Sequence, residues 1–437
     1  MKKKLISFLV VLLFLNCCSN SKPITGYWVG SMEMNGKNVD ISIDYTTSNG
    51  TFTSKELMLL SVPISNLKYE NRNISFNIVI DIEMVFEGTV DNEKINGSVR
   101  IQGGPPNTKI TFNLEKKSAT SPAKSYVVEK LTIKNKDVNL SAEIYNPKTK
   151  KLHPAMVLLH GSSMNLKDQY AFYADYFASI GFEVLIFDKR GNGESTGNYA
   201  ASNYSDLIED AVACLETMRN RESIDKNKIG LWGYSQGAML LPMVVTKTNI
   251  PAFLIAKSPE IFGATEGGAY SDSLRILNMG NTPDNAHIVA QSYRTVEMMI
   301  RDGNDYKEVE SFINQNAQKY NFMNQTGLYG NRTINKIEFD GYYWKDRMIN
   351  FYPYWAKLKI PTLALFGEED DILNAVKNES ITKNFKNGNI KTKMFSRAGH
   401  NLKKAFNPGK YPDSDWPRVI PEYLDFVKEW LEKEIAR

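Results

Sequence analysis

The sequence predicts an α/β protein, in which a mostly parallel sheet is covered by helices on both faces, carries a helical cap and follows a small antiparallel β-barrel-like domain. Three observations lead to this prediction. Residues 22–117 alternate polar and apolar side chains with period two, strands alternate with amphipathic helices from residue 126 onward, and a helical stretch interrupts that alternation at about residues 262–358. At 437 residues the chain is long enough for two such domains.

The N-terminus carries an export signal. The basic run Lys2–Lys4 precedes the apolar run Leu5–Leu15, which is too short to span a bilayer as a stable helix. With Leu15 three residues before Cys18, the segment resembles a lipoprotein signal, which implies removal of residues 1–17 and acylation of Cys18; Cys17 is the alternative. We therefore expect an exported protein, lipid-anchored to the cell envelope on its periplasmic or extracellular face. A plain signal peptide that contains cysteines is the competing interpretation.

Composition and charge exclude several classes of function. Hydrophobic residues make up 42% of the chain and charged residues 23%, as in an ordinary globular protein. Removal of the three signal lysines leaves 50 basic against 49 acidic residues, so we expect no nucleic-acid partner. Cys214 is the only other cysteine, and the chain offers no cluster of cysteine, histidine and acidic residues at ligand spacing. We expect no disulfide, no metal and no organic cofactor.

The β-rich region spans residues 22–117. Asp40–Tyr45 and Asn73–Ile78 alternate as half-buried strands do, and glycine-bounded pieces such as Gly26–Gly30 recur as in small barrels. The region resembles the lipocalin-like domains that precede some bacterial α/β-hydrolases. Small and polar residues at 118–125 predict a linker, and the second domain then covers residues 126–437.

In the second domain the predicted elements alternate along the chain. Two strands, near Val127–Ile133 and Val138–Tyr145, come first. The following strands are predicted at Ala155–Leu159, Glu183–Phe187, Lys228–Trp232, Ala252–Ala256, Thr362–Phe366 and Ile390–Phe395, with helices near Tyr170–Ile180, Tyr204–Met218 and Pro421–Glu434. In the insertion at 262–358, Val289, Tyr293, Val296 and Ile300 form an apolar stripe at helical spacing. The insertion therefore predicts a cap over the sheet edge.

The motif Gly233-Tyr234-Ser235-Gln236-Gly237 carries the chemistry. It follows the apolar strand Lys228–Trp232 and precedes the helical run Ala238–Leu241. This strand–turn–helix setting is the one in which a strained turn lifts a serine hydroxyl clear of a sheet. Glycines are needed there because side chains would collide with the neighbouring strand and helix. Ser235 is the predicted nucleophile.

An acyl-transfer serine needs a base and an acid. Of four histidines, only His400 follows the last predicted strand and precedes the last helix, in the chain order serine, acid, histidine. His160 is expected to stabilise a turn. The acid is expected after the strand at Thr362–Phe366, where the four acidic residues Glu368–Asp371 compete. An oxyanion hole needs two backbone N–H donors, one from Gln236 and one from the loop after Ala155–Leu159.

Several motifs together resemble the α/β-hydrolase superfamily, in its bacterial carboxylesterase and dienelactone-hydrolase-like group. They are the turn His160–Ser163, the loop Asp188–Gly197, the serine elbow, the G-x-x-D spacing after a strand and the final Gly399-His400. The G-x-x-D spacing implies Asp370 as the acid, with Asp371 as the runner-up, and the turn implies Ser162 as the second oxyanion donor. The resemblance also implies a structural Asp188–Gly197 loop. Ala238 departs from the second glycine that relatives often carry.

Three functions follow as hypotheses. The first is hydrolysis of small carboxylic esters through an acyl-enzyme on Ser235. The second is a peptidase or amidase that uses the same three residues, because no sequence feature separates the two activities. The third is a non-catalytic, lipid-anchored binding protein in which the β-domain is the active module; the presence of all three candidate residues argues against it. The oligomeric state is left open.

Overall fold

The structure, a computed structural model, describes residues 24–34, 36–46, 50–79, 83–102, 110–163, 165–328, 333–334, 336–341, 344–386, 388–405 and 421–435. The predicted signal peptide and the acylation site at Cys18, with its alternative Cys17, lie outside these residues. Within these ranges no helix has the length and apolar character that crossing a membrane requires. The described chain forms two compact units, one ending at Pro122 and one starting at Ala123, with Glu56–Leu60 grouped in the second.

The first unit is a closed barrel of eight strands in sequential order, in which neighbouring strands such as β1 and β2 pair antiparallel. The barrel closes where the first strand pairs with the last, with Ser31 opposite Asn113. This confirms the predicted antiparallel barrel-like domain. The strands are β1 (Tyr27–Met34), β2 (Lys37–Asp44), β3 (Thr51–Ser54), β4 (Leu59–Glu70), β5 (Asn73–Val79), β6 (Glu83–Asp91), β7 (Lys94–Ile101) and β8 (Ile110–Ser118).

Aromatic side chains fill the barrel interior. Phe76 and Phe86 are fully buried and stack with ring centroids 4.6 Å apart, while Phe112 meets Phe86 edge to face at 5.3 Å. Phe52 lies 5.6 Å from Phe86 on another side. An eight-stranded barrel is just wide enough for its inward side chains to fill. The inward-facing side chains of the alternating strands thus form the core of this unit.

The second unit contains an eight-stranded sheet in the order β16-β15-β14-β13-β11-β12-β10-β9. Its strands are β9 (Tyr126–Asn135), β10 (Val138–Pro147), β11 (His153–Leu159), β12 (Glu183–Phe187), β13 (Ile224–Tyr234), β14 (Phe253–Lys257), β15 (Thr362–Gly367) and β16 (Ile390–Phe395). Strands β11–β16 are parallel, and β9 and β10 join antiparallel at one edge. Because both faces are covered, the central strands contain continuous apolar runs, such as Val184–Phe187 in β12, a strand that is buried throughout.

Helices pack on both faces of this sheet, and two hydrophobic clusters separate them from it. The α-helices are α1 (Ala171–Ser179), α2 (Tyr204–Arg219), α3 (Gln236–Lys247), α4 (Ala264–Asn278), α5 (Pro283–Arg301), α6 (Tyr306–Lys319), α7 (Lys336–Asp340), α8 (Tyr352–Ala356), α9 (Ala375–Lys383) and α10 (Pro421–Ile435). Short 3-10 helices occur at Lys167–Tyr170, Asn321–Gln325 and Lys345–Met348. The predicted layered α/β architecture is confirmed.

Helices α4–α8 form the insertion between β14 and β15, where the sequence predicts a cap. The side chain of Thr282 caps α5, whose first residue is Pro283, and Asp305 and Glu308 form a capping box at the start of α6. These helices enclose a hydrophobic cluster of their own. The predicted stripe on α5 is buried in it: Val289, Tyr293, Val296 and Ile300. The helical character of the insertion is therefore confirmed.

Candidate active site

Ser235 occupies a sharp turn between β13 and α3. Its backbone has φ 52° and ψ −115°, a region that side-chain-bearing residues rarely adopt. A Cβ on Gly233 would lie 2.6 Å from the carbonyl carbon of Gly237, and a Cβ on Gly237 would lie 2.6 Å from the carbonyl oxygen of Leu159. Both glycines are thus required for the close approach of helix and strands, which confirms the steric reason predicted for them.

The structure brings Ser235, His400 and Asp370 into one hydrogen-bonded line. His400 Nε2 lies 2.9 Å from Ser235 Oγ, and His400 Nδ1 lies 2.8 Å from Asp370 Oδ2. The other carboxylate oxygen, Asp370 Oδ1, accepts hydrogen bonds from the backbone N–H groups of Ile372 at 2.9 Å and Leu373 at 3.0 Å. The carboxylate is therefore held at both oxygens, and its orientation toward the imidazole is set by the loop that carries it.

The acidic residues Glu368–Asp371 differ in their burial and in their hydrogen-bond partners. Asp370 is 3% exposed, whereas the side chain of Asp371 is exposed. Glu368 is also exposed and accepts a hydrogen bond from Ser396 Oγ at 2.7 Å. The backbone of His400 is held as well, because its carbonyl accepts a hydrogen bond from Ser258 Oγ at 2.6 Å. Of the acidic loop residues, Asp370 is the one that the structure places against the imidazole.

The two predicted oxyanion donors are the backbone N–H groups of Gln236 and Ser162. Gln236 is the first residue of α3, where backbone N–H groups have no partner within the helix and the helix dipole is positive. Ser162 lies on the loop that follows β11. Both residues line the same cavity as Ser235 and His400. The structure therefore brings all five predicted residues of the site together.

His160 is buried and lies outside the hydrogen-bonded line. Its Nε2 lies 2.5 Å from the carbonyl oxygen of Phe187, and its ring meets Tyr170 edge to face. Burial and the nearby Lys189 lower the pKa of the imidazole to about 3, so it stays neutral at physiological pH. This environment agrees with the predicted turn-stabilising role.

Buried ion pairs hold the Asp188–Gly197 loop. Asp188 pairs with Lys167 at 2.9 Å, and Arg190 pairs with Asp210 on α2 at 2.6 Å. All four side chains of these pairs are largely shielded from solvent. The contacts fit the structural role expected for the loop, with one exception, Lys189, which is buried and reaches the turn that carries Ser162.

A cavity of about 440 Å³ opens above Ser235, between the sheet edge and the cap. Met239 and Leu373 supply apolar surface close to the serine, and α4 contributes small side chains. Its lining residues are Ser162, Tyr204, Ser235, Gln236, Met239, Glu260, Ala264, Gly267, Gly268, Ser271, Asp272, Arg275, Tyr293, Gly327, Ile372, Leu373 and His400. A cavity of this size suits a small-molecule substrate.

The sequence does not single out the charged residues of this cavity. Glu260 follows β14, is 5% exposed, and accepts hydrogen bonds from Phe262 N at 3.1 Å and Asn378 Nδ2 at 3.0 Å. Burial raises the pKa of its carboxyl to about 7. Asp272 and Arg275 come from α4 and form a 3.4 Å ion pair. The position of Glu260 directly after a parallel strand is the one sequence signal that points to it.

Comparison with known proteins supports the same classification. The family model described as serine aminopeptidase, S33 (Hydrolase_4), matches residues 150–404. The chain belongs to this hydrolase family. The match contains the elbow, the acidic loop and His400, and it includes the cap. As a member of the S33 family, the chain has the α/β-hydrolase fold.

Individual curated relatives of this S33 hydrolase match over shorter stretches. The quorum-quenching protein AidA of Acinetobacter baumannii is 28% identical over 33% of this chain and 48% of its own length. Esterase EstD of Thermotoga maritima is 27% identical over 30% of this chain and 34% of its own length. Thiohydrolase aneE of Aspergillus aculeatus is 35% identical over 19% of this chain and 26% of its own length. The chain thus spans about half or less of the length of these relatives.

Solved structures of low sequence identity align with about 70% of the chain. An esterase of Pyrococcus furiosus is 18% identical with a TM-score of 0.45, and the alignment covers 71% of this chain and 92% of that one. Est1E of Butyrivibrio proteoclasticus, solved with ferulic acid, is 16% identical with a TM-score of 0.46, covering 70% and 100%.

Proposed function

We propose that this S33 hydrolase is a serine-dependent esterase that acts on small carboxylic esters through an acyl-enzyme on Ser235. One observation carries the proposal: Ser235 Oγ, the imidazole of His400 and the carboxylate of Asp370 form a continuous hydrogen-bonded line at the floor of a cavity. A base within 2.9 Å of a serine hydroxyl, itself oriented by a buried acid, is the geometry of an activated nucleophile.

In the first half-reaction, Ser235 Oγ attacks the ester carbonyl carbon and His400 Nε2 takes the hydroxyl proton. Asp370 accepts a hydrogen bond from His400 Nδ1–H, which holds the tautomer and stabilises the imidazolium without taking the proton. Negative charge that develops on the carbonyl oxygen is met by the backbone N–H groups of Ser162 and Gln236. His400 then protonates the leaving alcohol, and Ser235 remains acylated.

In the second half-reaction, His400 Nε2 removes a proton from water, and the resulting nucleophile attacks the acyl carbon. The same two N–H groups stabilise the second tetrahedral intermediate, and Ser235 Oγ leaves with the proton that His400 returns. Removal of one such donor raises the barrier by about 3–4 kcal/mol. No step requires a group beyond the residues named and water.

The names of two relatives favour an ester over an amide as the substrate. One bears the name esterase and another the name thiohydrolase, although each shares less than a third of this chain. The family description, serine aminopeptidase, favours the second candidate, a peptidase or amidase that uses the same three residues. The binding-protein alternative is disfavoured, since a scaffold without catalysis has no need of an aligned serine, imidazole and carboxylate.

The proposal is tested by treating the purified protein with a fluorophosphonate probe and locating the adduct by mass spectrometry. We expect labelling at Ser235 and turnover of p-nitrophenyl esters, both lost in Ser235→Ala by at least about 10⁴-fold. An aminoacyl p-nitroanilide series run in parallel distinguishes an aminopeptidase. A folded wild-type protein that neither labels nor hydrolyses any of these compounds contradicts the proposal.

We also propose that the protein is exported and anchored through an acylated Cys18. The basic run Lys2–Lys4, the short apolar run and the cysteines behind it support this. Metabolic labelling with a fatty-acid analogue in a bacterial host, followed by mass spectrometry of the N-terminal peptide, tests it. Loss of label in Cys18→Ala supports Cys18, loss in Cys17→Ala alone assigns the anchor to Cys17, and an unlabelled wild type contradicts the anchor.

A further inference from the structure

Lys189 is a buried lysine that follows β12 and lies behind the proposed oxyanion hole. It is 3% exposed, and among the described residues none of its hydrogen bonds goes to a carboxylate. Its Nζ donates to the carbonyl oxygens of Gly161 and Ser163, the latter at 3.2 Å, and to Gln236 Oε1 at 3.0 Å. Tyr199 completes the group, with its hydroxyl 3.2 Å from Nζ.

Burying the charged ammonium group of Lys189 costs free energy. A charge removed from water without an ionic partner is stabilised only by the dipoles around it. Burial lowers the pKa of Lys189 to about 7, which expresses that cost. The ring of Tyr199, whose centroid is 4.2 Å from Nζ, offsets part of it. Because Nζ is held by carbonyl oxygens of the turn that carries Ser162, the arrangement points to a role beyond packing.

The hydrogen bonds of Lys189 act on the peptide group that carries one oxyanion donor. The carbonyl of Gly161 and the N–H of Ser162 belong to the same planar trans peptide, in which they point in opposite directions. A donor that holds the Gly161 oxygen from behind therefore directs the Ser162 N–H away from Lys189. Asn165 Nδ2 holds the same oxygen at 3.2 Å. A positive charge at the carbonyl end also polarises the peptide, which strengthens its N–H as a donor.

The same ammonium reaches the other oxyanion donor. Gln236 Oε1 accepts from Lys189 Nζ and lies 3.2 Å from the hydroxyl of Tyr199. Tyr199 in turn donates to the carbonyl oxygen of Ser162. Lys189 and Tyr199 therefore connect, through hydrogen bonds, the turn that contains Ser162 with the side chain of Gln236.

We propose that Lys189 is a positioning residue of the oxyanion hole, which orients the Ser162 N–H through the Gly161 carbonyl and fixes its separation from the Gln236 N–H. The inference rests on the proposed esterase function. Because the two donors stabilise charge that exists only in the transition state, loss of their positioning lowers kcat and leaves KM nearly unchanged.

The test compares Lys189→Met with wild type, Ser235→Ala and Lys167→Met in p-nitrophenyl ester hydrolysis. Lys167 is a matched control, since it is a shielded lysine whose described side-chain hydrogen bonds go to Ser141, Asp188 and Glu194 and not to Gly161, Ser163 or Gln236. We expect kcat of Lys189→Met to fall about 10- to 100-fold with KM within about twofold. Lys167→Met is expected to lose thermal stability and keep kcat within about twofold.

A second variant guards against misfolding of Lys189→Met. Tyr199→Phe removes one hydroxyl from the group around Lys189, and we expect a three- to tenfold lower kcat, again at constant KM. A folded Lys189→Met with unchanged kcat, or with a raised KM alone, overturns the inference; if that variant does not fold, unchanged kcat in Tyr199→Phe overturns it. A wild type without esterase activity overturns the proposed function itself, which Ser235→Ala and the fluorophosphonate label report separately.

Discussion

The barrel and the α/β sheet each have eight strands, but they use them differently. In the barrel, neighbours in sequence pair antiparallel, the first strand closes on the last, and phenylalanine rings fill the inside. In the sheet, the carboxyl ends of β11–β16 meet at one edge, and each is followed by a residue of the site. These residues are Ser162, Lys189, Ser235, Glu260, Asp370 and His400.

This difference shows where each region can carry chemistry. A closed barrel with a filled interior has satisfied its backbone and its core within the unit itself. A parallel sheet leaves its strand ends open to loops from distant parts of the chain, and those loops place functional groups side by side. We therefore expect changes at the strand ends to alter catalysis, and changes inside the barrel to alter stability.

Among the changes that compare the two regions, the largest effect is expected for Asp370→Asn. An amide keeps one oxygen for the backbone N–H groups of Ile372 and Leu373, but it presents an N–H₂ to His400 Nδ1 and selects the wrong tautomer. We expect kcat to fall about 10⁴-fold with little loss of stability. Asp371→Asn, an identical change at the exposed neighbour, is the control and is expected to stay within about twofold. Equal losses in both variants would contradict the assignment of the acid.

Inside the barrel, Phe86→Ala is expected to reduce the free energy of unfolding by about 3–5 kcal/mol, since it removes a fully buried ring that contacts three others. Calorimetry or denaturant unfolding measures the loss, with Val79→Ala, at an exposed barrel position, as the control. The rate of ester hydrolysis at a temperature where the variant stays folded is expected to match wild type. A loss of ester hydrolysis in folded Phe86→Ala would contradict the expectation that changes inside the barrel affect stability and not catalysis.

The raised pKa of Glu260, in the second unit, is expected to make the stability of the protein depend on pH. Glu260 has a pKa of about 7 in the folded protein, which lies above the ordinary glutamate value of 4.5, so the folded state binds more protons between these values and stability falls as pH rises through this window. The full effect is up to about 3 kcal/mol. Thermal unfolding from pH 4.5 to 8 is expected to show a smaller decline in Glu260→Gln than in wild type. Parallel curves for the two proteins would refute the assignment of this slope to Glu260.

The smallest effect is expected for Tyr45→Phe in the barrel. The Tyr45 hydroxyl is buried and has no hydrogen-bond partner among the described residues. Removing an unsatisfied buried hydroxyl relieves a desolvation cost, so we expect stability to rise by about 1 kcal/mol and kcat to stay unchanged. The same substitution at Tyr199 is expected to lower kcat, which sharpens the contrast between the regions. A loss of stability in Tyr45→Phe would show that the hydroxyl has a partner in the folded protein.

Local patterns were sufficient for many elements of the fold. Period-two alternation predicted the barrel strands β2 and β5, buried apolar runs predicted strands of the sheet, and the spacing of Val289, Tyr293, Val296 and Ile300 predicted a helix of the cap. Element boundaries differ modestly: β13 runs from Ile224 to Tyr234, longer than the predicted Lys228–Trp232, because pairing with β11 extends it beyond the apolar run. Closure of the barrel through β1 and β8 joins strands about 80 residues apart, which no local pattern encodes.

The sequence by itself determined the strained elbow at Ser235, because only glycine fits at Gly233 and Gly237 where helix and strands approach closely. It also determined the position of His400 in the chain order of such sites. Only the tertiary structure decided which acidic residue faces the imidazole, and that the buried Lys189 lies behind the oxyanion hole. The physical reason is that backbone sterics act over a few residues, whereas burial and charge depend on side chains that folding brings together from distant positions.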